Sequence, residues 1–554
     1  MNSQDSPKLP GEDGAAAPIA AAREHSASHM HRRIAAATAI MMASVFLSRI
    51  LGFGRDWAIA HFAGANANTN AYYAGFRLPD FVNYLIAGAS LSVTFIPVFS
   101  KYVAEDKERE GWRVFSTVVT VMGVALAVLI VIGEFLAGPL VDHVVAPGFQ
   151  PHERALAVFL TRLMLPAQLF FYEGSILAAV QYAKGHFTVP ALAPLVYNSA
   201  IIVCGVLLFS HIGITGFAIG VLAGAVCGNF LLQAYGAHRV GASFRPSFNV
   251  KHPGFILFLK LAIPIMLALG LTYADDWITT HYASYLANGA VTWLSYSKKL
   301  MQVPLGFVGQ ALAVASFPTL SQLYSERKFG DLNRVLNASV KALIVTLIPI
   351  AALMMAESQP LIRLLFLRTP RLDPSDYSAI AYGLVFYSIG LIAWGVQNIV
   401  ARGFYATRNT VVPAVVGTVT TFLSLPLYKW LMHEMQFAGL ALASSIGIGA
   451  YTVVLFVLLA RRTQNPDTAG VMGFFFKVTA ASAAVGAGCY EFMGWLETLF
   501  PWHRAFYALL VLSIDTCAGV AALYLLLKLL RVRELDAYIR RGFSMFSRRA
   551  ALRA

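Results

Sequence analysis

Runs of twenty or more apolar residues recur along nearly the whole of this chain, and they constrain the fold more than any motif does. A backbone surrounded by hydrocarbon must satisfy its own polar groups, so such runs are read as bilayer-spanning helices. Hydrophobic residues make up 58% of the 554 residues and charged residues 13%, against about 25% charged in a soluble domain. The pattern predicts an all-α polytopic membrane protein with fourteen transmembrane helices. They are expected over residues 34–62, 68–101, 113–141, 154–183, 187–210, 213–236, 254–286, 290–324, 333–357, 376–406, 410–432, 437–460, 471–496 and 504–530. Several are longer than the roughly 20 residues a crossing needs, so tilting or bending is expected.

The net charge of +14 invites a nucleic-acid reading, but the placement of the cations opposes it. Lys and Arg gather in alternate loops and after residue 528, the distribution that holds basic loops on the cytoplasmic side. Both termini are therefore expected in the cytoplasm, with the protein multi-pass in a bacterial inner membrane and no nucleic acid as partner. Arg363, Arg368 and Arg371 form the one basic group on the other side. Residues 1–33 are polar and rich in Ala, Pro and Ser, which predicts a disordered cytoplasmic tail rather than a signal peptide. Residues 532–554 read as a basic cytoplasmic tail. The cysteines Cys204, Cys227, Cys489 and Cys517 lie in apolar segments without CxxC spacing and read as buried free thiols, with no metal site.

The chain also repeats itself at an offset of about 220 residues. RDWAIAHFA (55–63) matches DDWITTHYA (275–283), FIPVFSKY (95–102) matches SFPTLSQLY (316–324), and YAKGHFTVP (182–190) matches YATRNTVVP (405–413). The offset spans six helices, an even number, so both units insert in the same sense. This predicts two parallel six-helix lobes, an N-lobe over 34–240 and a C-lobe over 250–462, with two further helices over 470–531. Parallel lobes around a midplane site suit alternating access.

Charges interrupt the apolar pattern in several spans; Glu134, Arg162 and Glu173 give no clear depth, and four spans carry the candidates. Span 1 carries Arg49, Arg55 and Asp56, span 2 Arg77 and Asp80, span 7 Asp275 and Asp276, and span 8 Lys298 and Lys299. Each costs about 2.5–3.5 kcal/mol at a helix centre, so such residues face a bundle interior or a wet cavity. The repeat aligns Arg77 with Lys298. Arg49, Arg55, Arg77, Lys298 and Lys299 are the candidate binding residues for a ligand with several negative charges. Asp56, Asp80, Asp275 and Asp276 are candidates for charge pairing or coupling. The competing reading is that these are internal ion pairs that only hold helices together. Arg49 and Asp56 share a helix face while Arg55 is rotated away, so a wide cavity or a bend near Gly52 and Gly54 is expected. His61 and His281 read as interfacial. No P-loop, HExxH or GxSxG occurs, so the chain reads as no enzyme, with no catalytic residues and no direct use of ATP.

SRILGFGRD (48–56), FRLPD (76–80), APGF (146–149), LMQVPLG (300–306), GFYATRNTVVP (403–413) and AGLALA (438–443) together resemble the MurJ/MviN family of lipid II flippases. That family sits in the multidrug/oligosaccharidyl-lipid/polysaccharide exporter superfamily. The resemblance implies two six-helix lobes and two C-terminal helices bordering a lipid-accessible groove. It implies translocation of an undecaprenyl-diphosphate-linked glycan between leaflets, with membrane lipids and cell-wall synthesis proteins as partners. It implies no cofactor, and coupling to the membrane potential or a monovalent cation. Arg49 and Arg55 match functional arginines of the family, and Lys299 takes the place of a cavity arginine. TNAYY puts Asn70 where the family commonly has Asp, and Asn83 and Tyr84 stand where it commonly has two arginines. Span 11 lacks Asp and Asn, so a sodium site like the family's would be incomplete. Alternatives are a flippase for another polyprenyl-linked glycan, such as an O-antigen or exopolysaccharide unit, a cation-coupled multidrug exporter, or a scaffold without transport.

Overall fold

The computed structural model describes residues 16–84, 89–270, 274–366, 369–407, 409–500 and 505–530. The described residues are helical, with no strand among them, and every one of the fourteen expected windows holds one or more helices. Span 1 is Ala16–Ala63, and span 2 comprises Ala67–Gly75, Arg77–Val82 and Ala89–Ala104. Span 3 is Glu108–Leu140 with a π turn at Val141–Val145, and span 4 is Pro151–Met164 followed by Ala167–Ala183. Span 5 is Thr188–Ile212, and span 6 runs from Thr215–Gly224 through a π segment to Leu232–Arg239. Span 7 is Pro253–Gly270 and Ala274–Ala283; span 8 is Ala290–Pro304, a π turn and Gln310–Ser325. Span 9 is Phe329–Ala356, followed by the short helix Ser358–Leu365, and span 10 is Pro374–Ile389 with Leu391–Ala406. Spans 11 and 12 lie within Val411–Arg462 and part at Gln436, whose φ of 53° and ψ of −135° no helix accommodates. Spans 13 and 14 are Thr468–Leu499 and Ala505–Leu529.

Among the described residues, eight helices are long and apolar enough to cross a membrane, or nine if the bent pair of span 10 counts as one. Spans 1, 2, 7 and 8 carry all nine charges singled out from the sequence.

Residues 16–33 depart from the expected disordered tail, because their backbone continues the first helix. Their Ala-rich sequence favours a helix, and Pro18 falls in the first turn, where its missing N–H costs nothing. Residues 1–15 and the basic tail expected over 532–554 lie outside the described residues. All four cysteines are free, but Cys227 and Cys517 are exposed on the protein surface rather than buried. A thiol on a membrane-spanning helix can face hydrocarbon instead of a core.

Local packing follows from small residues. Gly216, Gly220, Gly224 and Gly228 form a four-residue ridge on span 6 that lies against span 5. A Cβ at Gly220 would stand 2.6 Å from the Ile201 Cα, and one at Gly224 would stand 2.8 Å from the Tyr197 carbonyl oxygen. Gly220→Ala must therefore push two backbones apart. We expect it to destabilise the protein by about 1–3 kcal/mol, the range of overpacked sites, read as earlier thermal unfolding in detergent. Gly138→Ala, inside the helix of span 3, has no atom within 4 Å of its Cβ to displace and controls for steric contact.

The seam between the lobes runs through span 7. Its first half packs into the N-lobe: Phe255, Phe258 and Ala262 join a buried cluster with Phe95, Phe99 and Phe115. Its second half, Ala274–Ala283, lies against spans 11 and 12 through Tyr282 and Tyr428, whose rings stack at 6.2 Å.

Candidate functional site

Two aspartates organise the charged spans. Asp56, buried on span 1, accepts from Arg55 Nε and Nη2 at 3.2 Å each and from Lys299 Nζ of span 8 at 2.9 Å. Asp276 of span 7 accepts from Lys298 Nζ at 2.8 Å and lies 3.8 Å from the Arg77 guanidinium of span 2. Each of these repeat-related aspartates thus joins one span 8 lysine to one N-lobe arginine. Asp275 adds a third acid: its Oδ2 lies 2.5 Å from Lys298 Nζ and accepts from Ser444 Oγ at 3.0 Å, and its Oδ1 accepts from the Tyr428 hydroxyl.

Neighbouring groups hold the cations in place. Arg55 Nη1 donates to Asn198 Oδ1 at 3.4 Å, and Arg77 Nε donates to Thr280 Oγ1 at 2.8 Å. Lys299 Nζ lies 4.5 Å from the centre of the Tyr73 ring, and Lys298 Nζ 5.4 Å from a Trp394 ring. Such contacts favour a desolvated ammonium. Lys299 is the most exposed of the paired cations, with 36% of its side chain accessible against 9% for Lys298.

The arrangement revises parts of the sequence reading. Span 1 runs as an unbroken helix through Gly52 and Gly54, and Arg55 reaches Asp56 with its long side chain rather than through a bend. Arg49 does not join the others: it is exposed, packs against Gly306 and lies 5.5 Å over the Phe307 ring. Asp80 makes no ion pair among the described residues, and Arg77 is the cation acting on it most strongly. The cations are not a free basic surface, because Arg55, Arg77, Lys298 and Lys299 are all held by aspartates. Asn198, Thr280, Tyr428 and Ser444 carried no signal in the sequence, since ordinary polar residues on apolar helices are common.

At the ends of the spans expected to face outward, the lobes are closed on each other. Thr292 of span 8 donates its N–H and hydroxyl to Asn70 Oδ1 at 3.1 and 2.9 Å, and the hydroxyl lies 3.0 Å from Thr69 Oγ1. Gly148 N–H donates to Ser284 Oγ at 3.0 Å, and a Cβ there would stand 2.6 Å from the Ser284 backbone. His281 Nδ1 lies 2.7 Å from the Val144 carbonyl oxygen. Asn70 is therefore part of a lobe-to-lobe latch. Thr292→Val keeps the shape but removes the hydroxyl, a loss of about 1 kcal/mol. We expect a roughly fivefold shift toward an opened outer end, read as longer spin-label distances between positions 68 and 375. An unchanged distribution would show that the latch carries no weight.

The model of the family described as Lipid II flippase MurJ matches residues 59–511. The chain belongs to that family. It is 29% identical over 468 residues to the lipid II flippase MurJ of Burkholderia cenocepacia, covering 82% of this chain and 89% of the relative. It is 25% identical over 515 residues to a probable lipid II flippase MurJ of Vibrio cholerae, covering 91% and 98%. Its fold is similar to a solved lipid II flippase MurJ in an inward closed conformation, with a TM-score of 0.73, 22% identity, and 90% and 99% of the two chains covered. A multidrug resistance MATE family transporter in an inward-facing conformation is more distant, with a TM-score of 0.61, 15% identity, and 75% and 94% covered. Asn70 lies in the latch rather than among the paired charges. Span 11 offers Asp275 a tyrosine hydroxyl, while the cation beside Asp275 is the tethered Lys298. Among the described residues, no group of three or more His, Cys, Asp or Glu could hold a metal ion.

Proposed function

We propose that this protein translocates lipid II, an undecaprenyl-diphosphate-linked disaccharide-pentapeptide, from the inner to the outer leaflet of the bacterial cytoplasmic membrane by alternating access. The observation that carries this reading is the pair of aspartate-centred clusters straddling the lobe seam, each joining a span 8 lysine to an N-lobe arginine. A diphosphate is the ligand such clusters suit. Its oxygens replace the carboxylates as partners of the same cations, and charge-assisted bonds to phosphate are strong enough to compete. Arg55 and Lys299 lie nearest to exchange, because Lys299 is the most accessible; Arg77 and Lys298 assist from the second cluster. Arg49 meets the headgroup separately, beside Phe307.

The exchange also supplies the conformational step. A diphosphate that takes cations from Asp56 and Asp276 leaves those carboxylates without partners, which disfavours the lobe arrangement that buried them. The shift is limited by the difference in affinity between the two states. Both termini lie in the cytoplasm in this reading, which the alternating basic loops support. Coupling is to the membrane potential: Lys298, fixed between Asp275 and Asp276, already supplies the positive charge that a monovalent cation would bring.

The paired cations recognise a diphosphate and do not read a sugar, so another polyprenyl-diphosphate glycan shares the chemistry. Depleting the protein in its host distinguishes the two. Lipid II should accumulate in the inner leaflet and the cells should lyse. Normal lipid II distribution with altered surface polysaccharide would overturn this reading.

A further inference from the structure

Two acids outside the charged clusters meet where the C-terminal hairpin, spans 13 and 14, packs on the C-lobe. Asp515 of span 14 is fully buried, and neither of its carboxylate oxygens has a hydrogen-bond partner. Glu357, just after span 9, is buried beside it, and its two oxygens accept from Thr516 Oγ1 at 2.7 and 2.9 Å. Small residues allow this close approach. A Cβ at Gly519, one turn beyond Asp515, would stand 2.7 Å from Cys489 Sγ and 2.7 Å from a Leu353 methyl. Gly486 of span 13 lies against Ala352 of span 9, where a Cβ would stand 3.2 Å from the Ala352 Cβ. One turn the other way, Met493, Val511 and Leu512 form an apolar cluster that keeps the contact dry.

The ionisable groups facing the pair come from three elements: Glu357 after span 9, Asp515 on span 14, and the Cys489 thiol on span 13. No Lys, Arg or His among the described residues pairs with either acid. The Thr516 hydroxyl brings one hydrogen and no charge. Two ionised carboxylates in such a contact would repel each other and lose their hydration. A single proton removes one charge and supplies the donor that the Asp515 oxygens lack.

We propose that Glu357 and Asp515 form a proton-binding site, one proton shared between the two carboxyls, that fastens the C-terminal hairpin to the C-lobe. The proton comes from water and forms only an O–H bond. Its loss leaves two like charges in contact and loosens spans 13 and 14. Those spans border an apolar groove of about 720 Å³ lined by Val485, Gly488, Phe492, Ala522 and Leu525, so protonation sets how firmly that groove is held.

The test uses the full-length protein in lipid vesicles. Infrared difference spectra should show one protonated carboxyl at neutral pH in the wild type that is missing from the double variant Glu357→Gln/Asp515→Asn. Labelling of Cys489 by a membrane-permeant maleimide, relative to exposed Cys517, should rise with pH in the wild type and stay flat in the double variant. Glu357→Gln alone offers Asp515 an amide donor and is the second variant should the double one fail to fold; it should also stay flat. Equal numbers of protonated carboxyls in wild type and variant would overturn the proposal. So would a carboxylate band that responds to sodium or potassium but not to pH, or a pH-dependent rise in Cys489 labelling that persists in the variants.

Discussion

Lys298→Met is expected to destabilise the protein by about 3 kcal/mol, the low end for removing one partner of a buried ion pair, and to lower its amount in the membrane. Lys298 is the shared cation of Asp275, at 2.5 Å, and Asp276, at 2.8 Å, and only 9% of its side chain is accessible. Without it, Asp276 keeps only the Arg77 guanidinium at 3.8 Å, and Asp275 keeps the hydroxyls of Tyr428 and Ser444. Neither replacement neutralises a charge at contact distance. Thermal unfolding in detergent measures the loss. Adding Asp275→Asn to Lys298→Met should recover much of it, because the cost lies in the stranded carboxylate rather than in the missing ammonium. No recovery would mean that Lys298 acts through packing, for example its contact with Trp394.

Lys299→Ala should do the opposite: leave the protein abundant and slow transport sharply. Asp56 retains Arg55 at 3.2 Å, so no carboxylate is stranded, and the more exposed Lys299 gives up little burial. What disappears is the paired cation most open to a ligand. A charge-assisted hydrogen bond of about 1.5–3 kcal/mol corresponds to a translocation rate roughly 10- to 100-fold lower. In cells depleted of their own lipid II flippase, the variant should fail to restore growth although its membrane level matches the wild type. Lys299→Arg keeps the charge and should restore growth. Together with Lys298→Met, this separates two adjacent lysines by their larger effect: Lys298 first neutralises the buried aspartates and only assists the substrate, whereas Lys299 is the first to meet it.

The fourteen windows were legible because apolar runs of membrane length are hard to mistake. The nine charges were legible because each is costly in its span. What the sequence could not disclose was pairing across distance. Asp56 and Lys299 are 243 residues apart, and Asp275 and Ser444 169. Nothing local in either partner marks the other. Helical spacing set Arg55 on a different face from Asp56, but a guanidinium spans that angle with its own side chain. Arg49 shares the face of Asp56 yet lies far enough along span 1 to meet span 8 at Phe307 instead. The N-lobe packing of the first half of span 7 was hidden for a related reason: a repeat reports ancestry, not which lobe a helix touches. Glu357 escaped notice because it closes its window and reads as a helix end, and Asp515, alone in the middle of span 14, because its partner is far away in the sequence.

The central claim is that the cations of spans 1, 2 and 8 move a lipid-linked diphosphate across the bilayer. Its most direct measurement is translocation of fluorescent lipid II in vesicles holding the purified protein, followed by a membrane-impermeant quencher. Wild-type protein should move the headgroup to the far leaflet, and Lys299→Ala, reconstituted to the same density, should do so at roughly a tenth of the rate or less. Lipid II that stays in its leaflet with the wild type, or that moves as fast with Lys299→Ala, would contradict the account.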